Sequence, residues 1–142
     1  MRLWHYKLIP YLDDKHLLAQ WREVIAIKRK IDKYGSPNHL IVNRVMDYSL
    51  NEFIYYAGLV ITEMTTRGFK INPNLINEIY EFNNKNFKGS DYFDFVFDGW
   101  HNDEYLLICY YNLLEKYQCR PSDEQKKMID NVRNYLSSKK LI

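Results

Sequence analysis

Between residues 13 and 35 the apolar side chains fall at Leu17, Leu18, Trp21, Val24, Ile25 and Ile31, the three-and-four spacing of one helix face. The helix predicted there is capped by Asp13 or Asp14, runs toward Lys33 and stops at Gly35, with Pro37 just beyond. A shorter helix is expected in SPNHLIVNRVMDY, capped by Ser36 with Pro37 at its first position. In SLNEF, Ser49 and Glu52 stand three apart as a capping box. They open a long apolar helix through Thr66 that closes at Gly68. NPNLINEIYEFNN reads as another short helix with Pro73 near its start. NDEYLLICYYNLLEKYQ is amphipathic, and PSDEQKKMIDNVRNYLSS reads as a polar terminal helix. Residues 84 to 100, NKNFKGSDYFDFVFDGW, follow neither period and are polar, then aromatic. Strand alternation is scarce. The pattern predicts a compact all-α fold over residues 1–142, a single domain with one long aromatic loop.

Composition agrees with a packed core: 46% of residues are hydrophobic and 16% aromatic. No apolar run approaches the roughly 18 residues of a membrane span. The segment MRLWHYKLIPYLDDKH lacks the apolar centre of a signal peptide. The expected setting is cytoplasmic and nucleoid-associated, with no membrane partner. Cys109 and Cys119 are ten apart in one predicted helix, about 15 Å along its axis and too far for a disulfide, so both are expected reduced. The net charge of +2 says little, but its distribution is uneven. Lys15, Arg22, Lys28, Arg29, Lys30, Lys33 and Arg44 face only Glu23 and Asp32 between residues 15 and 44, a local +5. A basic first third among aromatics suits a polyanion such as DNA; a solvated helix face gives the same pattern.

Candidate chemistry concentrates in HLLAQWREVIA, residues 16 to 26. At 100° per residue, His16 and Glu23 lie on nearly one line, with Ala19 and Gln20 between them and Ala26 after. Glu23 then stands in a shallow depression between two alanines. Arg22 is about 100° round, on the face of Ala26 and Arg29. A carboxylate and a guanidinium beside small side chains suit either an extended ligand or an ordinary surface pair. His101, Asp103 and Glu104, with His5 or His16, match no standard metal spacing, and neither dinucleotide-binding nor P-loop glycine patterns occur. No metal or cofactor is implied.

The stretch MRLWHYKLIPYLDDKHLLAQWREVIAI resembles the N-terminal segment of the pyrimidine-dimer DNA glycosylases, the endonuclease V-type excision enzymes, through His16-Leu17 and Trp21-Arg22-Glu23. Arg67-Gly68-Phe69, closing the second long helix, and the helix beginning WHNDEYLLICYY are similar to further blocks of the family and of its bacterial-type branch. The resemblance implies a helical endonuclease V-type fold and an enzyme acting on double-stranded DNA with a damaged or modified base, expected to be a monomer. It implies glycosylase and abasic-site lyase activity: the chain's own α-amine attacks sugar C1′, a Schiff base forms, and β-elimination nicks the strand. An α-amine titrates near 7.7–8 in model peptides, below lysine at about 10.4, so a useful fraction is nucleophilic near neutrality.

Carried onto this chain, the resemblance makes Met1 the nucleophile, because Arg2 is too large for removal of the initiator. Glu23 would stabilise the cationic sugar and iminium and manage protons. Arg22 would hold phosphate, and His16 would order the Glu23 neighbourhood. Arg2, Lys28, Arg29, Lys30 and Lys33 are the expected DNA grips, and Trp4, His5, His39 and Asn43 the possible cleft residues. Two features depart from the pattern. Ala26 stands where the family has a second basic residue, and residues 121 to 142 replace an aromatic, basic tail with a polar helix and SSKKLI. A thymine dimer is therefore not implied as the substrate. The alternative is a binding module for DNA or a partner on the same scaffold, without chemistry.

Overall fold

The computed structural model describes residues 1 to 142 and contains helices without strands. The five α-helices are α1 (Asp14–Tyr34), α2 (Leu50–Thr66), α3 (Pro73–Tyr80), α4 (Asp103–Cys119) and α5 (Asp123–Ser138). Two 3-10 segments, Tyr6–Tyr11 and Val42–Asp47, complete the helical structure. One cluster of 34 buried apolar residues forms the core. Within it α1 packs on α2 and α3, and α4 on α5, while the first 3-10 segment touches both α2 and α5. The N-terminal arm is thus sewn between the two helix groups.

The helix ends follow local side-chain chemistry. Asp13 caps α1 by accepting the His16 backbone N–H at 2.8 Å, and Gly35 closes it with φ 81°, a left-handed turn that favours glycine. The capping box forms at α2: Ser49 Oγ accepts from Glu52 N–H and Glu52 Oε2 from Ser49 N–H, both at 3.1 Å. Pro73 is the first residue of α3, after an Asn72 cap. Asn102 and Ser122 cap α4 and α5.

The segment after Gly35 differs from expectation. Ser36 caps no helix, and only Val42–Asp47 coils, as a 3-10 segment. Side chains there capture the backbone donors an α-helix start would need. Ser36 Oγ accepts from Asn38 N–H, Asn43 Oδ1 from His39 N–H, and His39 Nδ1 from Val42 N–H. Asn38 also adopts φ 53°, which breaks the helical run. The Tyr6–Tyr11 segment is the other element the pattern missed; its two 3-10 turns with an internal Pro10 are too short to show a period.

The aromatic loop after α3 is irregular, as its composition predicts, and it is anchored at several points along its length. Lys88 N–H and Gly89 N–H donate to the carbonyls of Met46 and Tyr48 at 2.9 and 3.0 Å. The buried Glu52 uses its second oxygen, Oε1, to accept from Phe97 N–H at 3.0 Å. Phe97 is held there with φ 53°. One carboxylate therefore caps α2 and pins the loop.

Candidate active site

The first five residues lie outside any helix in an all-helical protein, so no strand satisfies their backbone, and side chains take over that role. Glu23 Oε2 accepts from Arg2 N–H at 2.9 Å. One turn earlier on α1, the Gln20 amide pairs twice with the arm: Oε1 accepts from Trp4 N–H at 2.8 Å and Nε2 donates to the Arg2 carbonyl at 2.9 Å. Tyr56 of α2 donates its hydroxyl to the Trp4 carbonyl at 2.5 Å and lies 3.0 Å from Gln20 Oε1. Tyr105 of α4 donates to the Leu3 carbonyl at 2.9 Å. His5 N–H meets Cys109 Sγ, and Tyr6 N–H donates to His101 Nδ1 at 3.1 Å.

This lacing leaves the Met1 nitrogen 3.8 Å from Glu23 Oε1. The two groups face an open cleft of about 230 Å³ lined by Met1, Arg2, Trp4, His16, Ala19 and Glu23, with Asn112 and Lys116 from α4. Ala19 leaves space beside Glu23, as the helical spacing predicts, whereas Ala26, expected as the second wall, lines the groove of Arg22 instead. The Trp4 ring is buried as part of the core yet walls the cleft. The Arg2 guanidinium lies 5.3 Å and the Lys116 amine 5.4 Å from the ring centroid. The cleft thus joins one carboxylate, one terminal amine and two side-chain cations. His16 closes one side with its Nδ1 2.7 Å from Asp13 Oδ1. Burial works to raise the Asp13 carboxyl, but the His16 ring and backbone N–H outweigh it and hold the carboxyl below its ordinary range.

The remaining candidates are elsewhere. Arg22 is exposed and lines a different groove, with Trp21, Ile25, Met64, Lys70 and Leu75, because it is a third of a turn round from Glu23. His5 points into the core, stacked at 5.1 Å on His101, and burial pushes its imidazole down to about 4. His39 and Asn43 hydrogen-bond within their own turn and do not line the cleft. Lys28 and Arg29 are engaged by acids: Lys28 meets Asp32 at 2.6 Å and Glu78 at 3.5 Å, and Arg29 binds Glu78 through two nitrogens, each at 3.1 Å. The Arg29 hydrogen bond pulls the Glu78 carboxyl below its ordinary range. Lys30, seven after Glu23, and Lys33 form no ion pair.

Six residues with a place at the arm or cleft escaped the sequence reading: Gln20, Tyr56, Tyr105, Cys109, Asn112 and Lys116. Gln20 alone left a sequence signal, as a polar residue set in the apolar stripe of α1. Asn112 and Lys116 stand four apart on one face of α4, but nothing local relates that face to Glu23.

Comparison with known proteins supplies a family. Neither curated proteins nor solved structures returned a match. The family model described as pyrimidine dimer DNA glycosylase matches residues 1–77. That span holds the arm, α1, α2 and the first half of α3, and so both Met1 and Glu23. On that match, over more than half of the 142 residues, the chain belongs to the pyrimidine dimer DNA glycosylase family.

Proposed function

We propose that the protein is a DNA glycosylase with abasic-site lyase activity in which the Met1 α-amine is the nucleophile. The observation that carries the reading is the Met1 nitrogen 3.8 Å from the Glu23 carboxylate in a cleft open to solvent. The neutral amine attacks C1′ of the damaged nucleotide, the N–C1′ bond forms, and the base departs with the C1′–N electron pair and a proton. Nitrogen then drives the C1′–O4′ pair onto O4′, which takes up a proton as the ring opens to the iminium. Loss of a C2′ proton expels the 3′ phosphate, and water releases the amine. Glu23, beside the nitrogen, stabilises the cationic sugar and iminium and is the group placed to relay the protons. Arg2 and Lys116 at the cleft mouth suit the flanking phosphates. Lys30 and Lys33 extend the cationic surface along α1. Arg22 serves a neighbouring stretch of backbone from its own groove.

Borohydride reduction tests the reading. Wild-type protein with abasic-site duplex is expected to give a covalent adduct that mass spectrometry places on the first residue. A Gly-Ser extension ahead of Met1 should remove it. Glu23→Gln should bind the duplex within a few-fold of wild type and lose strand nicking by about 10²–10⁴-fold, the range for a general acid–base group. Nicking at full rate in Glu23→Gln would show that the carboxylate takes no part. Duplex binding without any adduct in the wild type would favour a binding module on this scaffold.

A further inference from the structure

The amide of Gln20 is fully buried, and both of its ends are occupied by the arm. Position 20 sits in the apolar stripe of α1, next to Trp21 and one turn from Leu17 and Val24, where a hydrocarbon side chain would pack without hydrogen-bond demands. A hydrocarbon at position 20 would leave the buried Trp4 N–H and the Arg2 carbonyl unpaired, so the amide first satisfies the backbone of the arm. What it adds beyond that is register. Gln20 reads the Arg2 carbonyl and the Trp4 N–H as a neighbouring strand would. Tyr56 and Tyr105 read the Trp4 and Leu3 carbonyls from two other helices. An extended chain advances about 3.3 Å per residue. A one-residue slip would therefore carry the first nitrogen away from Glu23 by roughly its present separation.

Resting on the amine reading above, we propose that Gln20, supported by the hydroxyls of Tyr56 and Tyr105, is a positioning residue that sets the register of the arm and so places the Met1 nitrogen against Glu23. It touches neither sugar nor phosphate. Its effect passes through the backbone of residues 2 to 4.

The test compares Gln20→Met and Tyr56→Phe with wild type, using abasic-site duplex and borohydride trapping at saturating protein, well below each variant's melting temperature. Gln20→Met keeps the side-chain length and removes the amide. Its trapping rate is expected to fall by about 10²-fold, the scale for roughly 1 Å of misplacement at a reacting centre. Its affinity for the duplex should stay within about twofold. Tyr56→Phe keeps the ring and removes one hydroxyl, and about a tenfold loss is expected; it carries the test if Gln20→Met does not fold. Gln20→Glu can still accept from Trp4 N–H but offers the Arg2 carbonyl no donor. It also sets a second carboxylate near the amine, which favours the ammonium form and should displace the acid limb of the rate profile to higher pH. Variants that melt earlier but trap at the wild-type rate, with an unmoved pH profile, overturn the positioning role while leaving the amine reading intact. A wild type that forms no adduct defeats the amine reading first, and the positioning role falls with it.

Discussion

At the residue scale, two imidazoles hold the backbone of the N-terminal segment in a way that depends on protonation, His5 from within it and His101 from just ahead of α4. His5 Nδ1 accepts the Lys7 N–H and His101 Nδ1 accepts the Tyr6 N–H, each at 3.1 Å. An imidazolium has no acceptor to offer, so both rings serve only when neutral. Burial is the main cause holding both below the ordinary 6.5; His5 is brought to about 4, and His101, also repelled by His5 and Arg44, lies well below. The unfolded chain therefore binds these protons more readily than the folded one. Their stabilisation is full above about pH 6.5 and declines as pH drops toward 4. For His5 alone the loss approaches about 3 kcal/mol at the bottom of that window. Urea melts at pH 7.5 and pH 4.5 should show the decline, and His5→Asn should flatten it. A slope unchanged in that variant would show that His5 is not its source.

At the element scale, helix ends were easier to read than helix neighbours. Gly35 and Gly68 stop α1 and α2, and Ser49 with Glu52 starts α2, because those signals lie within four residues of the backbone they act on. The Ser36 prediction failed for the same local reason, since Asn38 turns the backbone to φ 53° and the Asn43 and His39 side chains take the donors that follow. The Glu23 depression was visible from helical spacing, and the place of Met1 was inferred from the family resemblance. The partners supplied by α2 and α4 were invisible, since Tyr56, Tyr105, Asn112 and Lys116 are brought in by packing between distant segments. The cationic stripe of α1 shows the limit most clearly. Sequence counts Lys28 and Arg29 as free charges, whereas α3 delivers Glu78 between them. Removing that acid has a measurable outcome: Glu78→Gln should release Arg29, leaving Lys28 on Asp32, and strengthen non-specific duplex binding. It should steepen the salt dependence of log K by up to about 0.9 if Arg29 meets phosphate. An unchanged slope would mean this end of α1 faces away from bound DNA.

At the scale of the whole molecule, the long loop is structural cladding tied to the α2 entry. Gly89 is packed so closely that an added Cβ would lie 2.5 Å from the Tyr48 carbonyl carbon, which is backbone and cannot step aside. Gly89→Ala is expected to cost about 1–3 kcal/mol and lower the melting temperature by about 3–10 °C. A melting curve identical to wild type would show the loop free to lift. The loop also delivers Trp100 and His101 to the arm side, where His101 holds Tyr6. A loosened loop should therefore slow trapping as well as weaken the fold.

The grip on the first two residues falls on main-chain atoms: the nitrogens of Met1 and Arg2 face Glu23, and the Arg2 carbonyl faces Gln20. Except for proline, which lacks the N–H, every amino acid carries the same main-chain atoms. Missense changes at the second position to another large residue can alter how the protein meets a phosphate, but they leave the hold on the first nitrogen in place; a small residue there would let the initiator be removed and shorten the arm by one residue. The hereditary weak points of such an enzyme are then the codons for Gln20 and Glu23, together with any event that lengthens or blocks the start of the polypeptide. A purification tag in front of Met1 would yield a well-folded, inert protein.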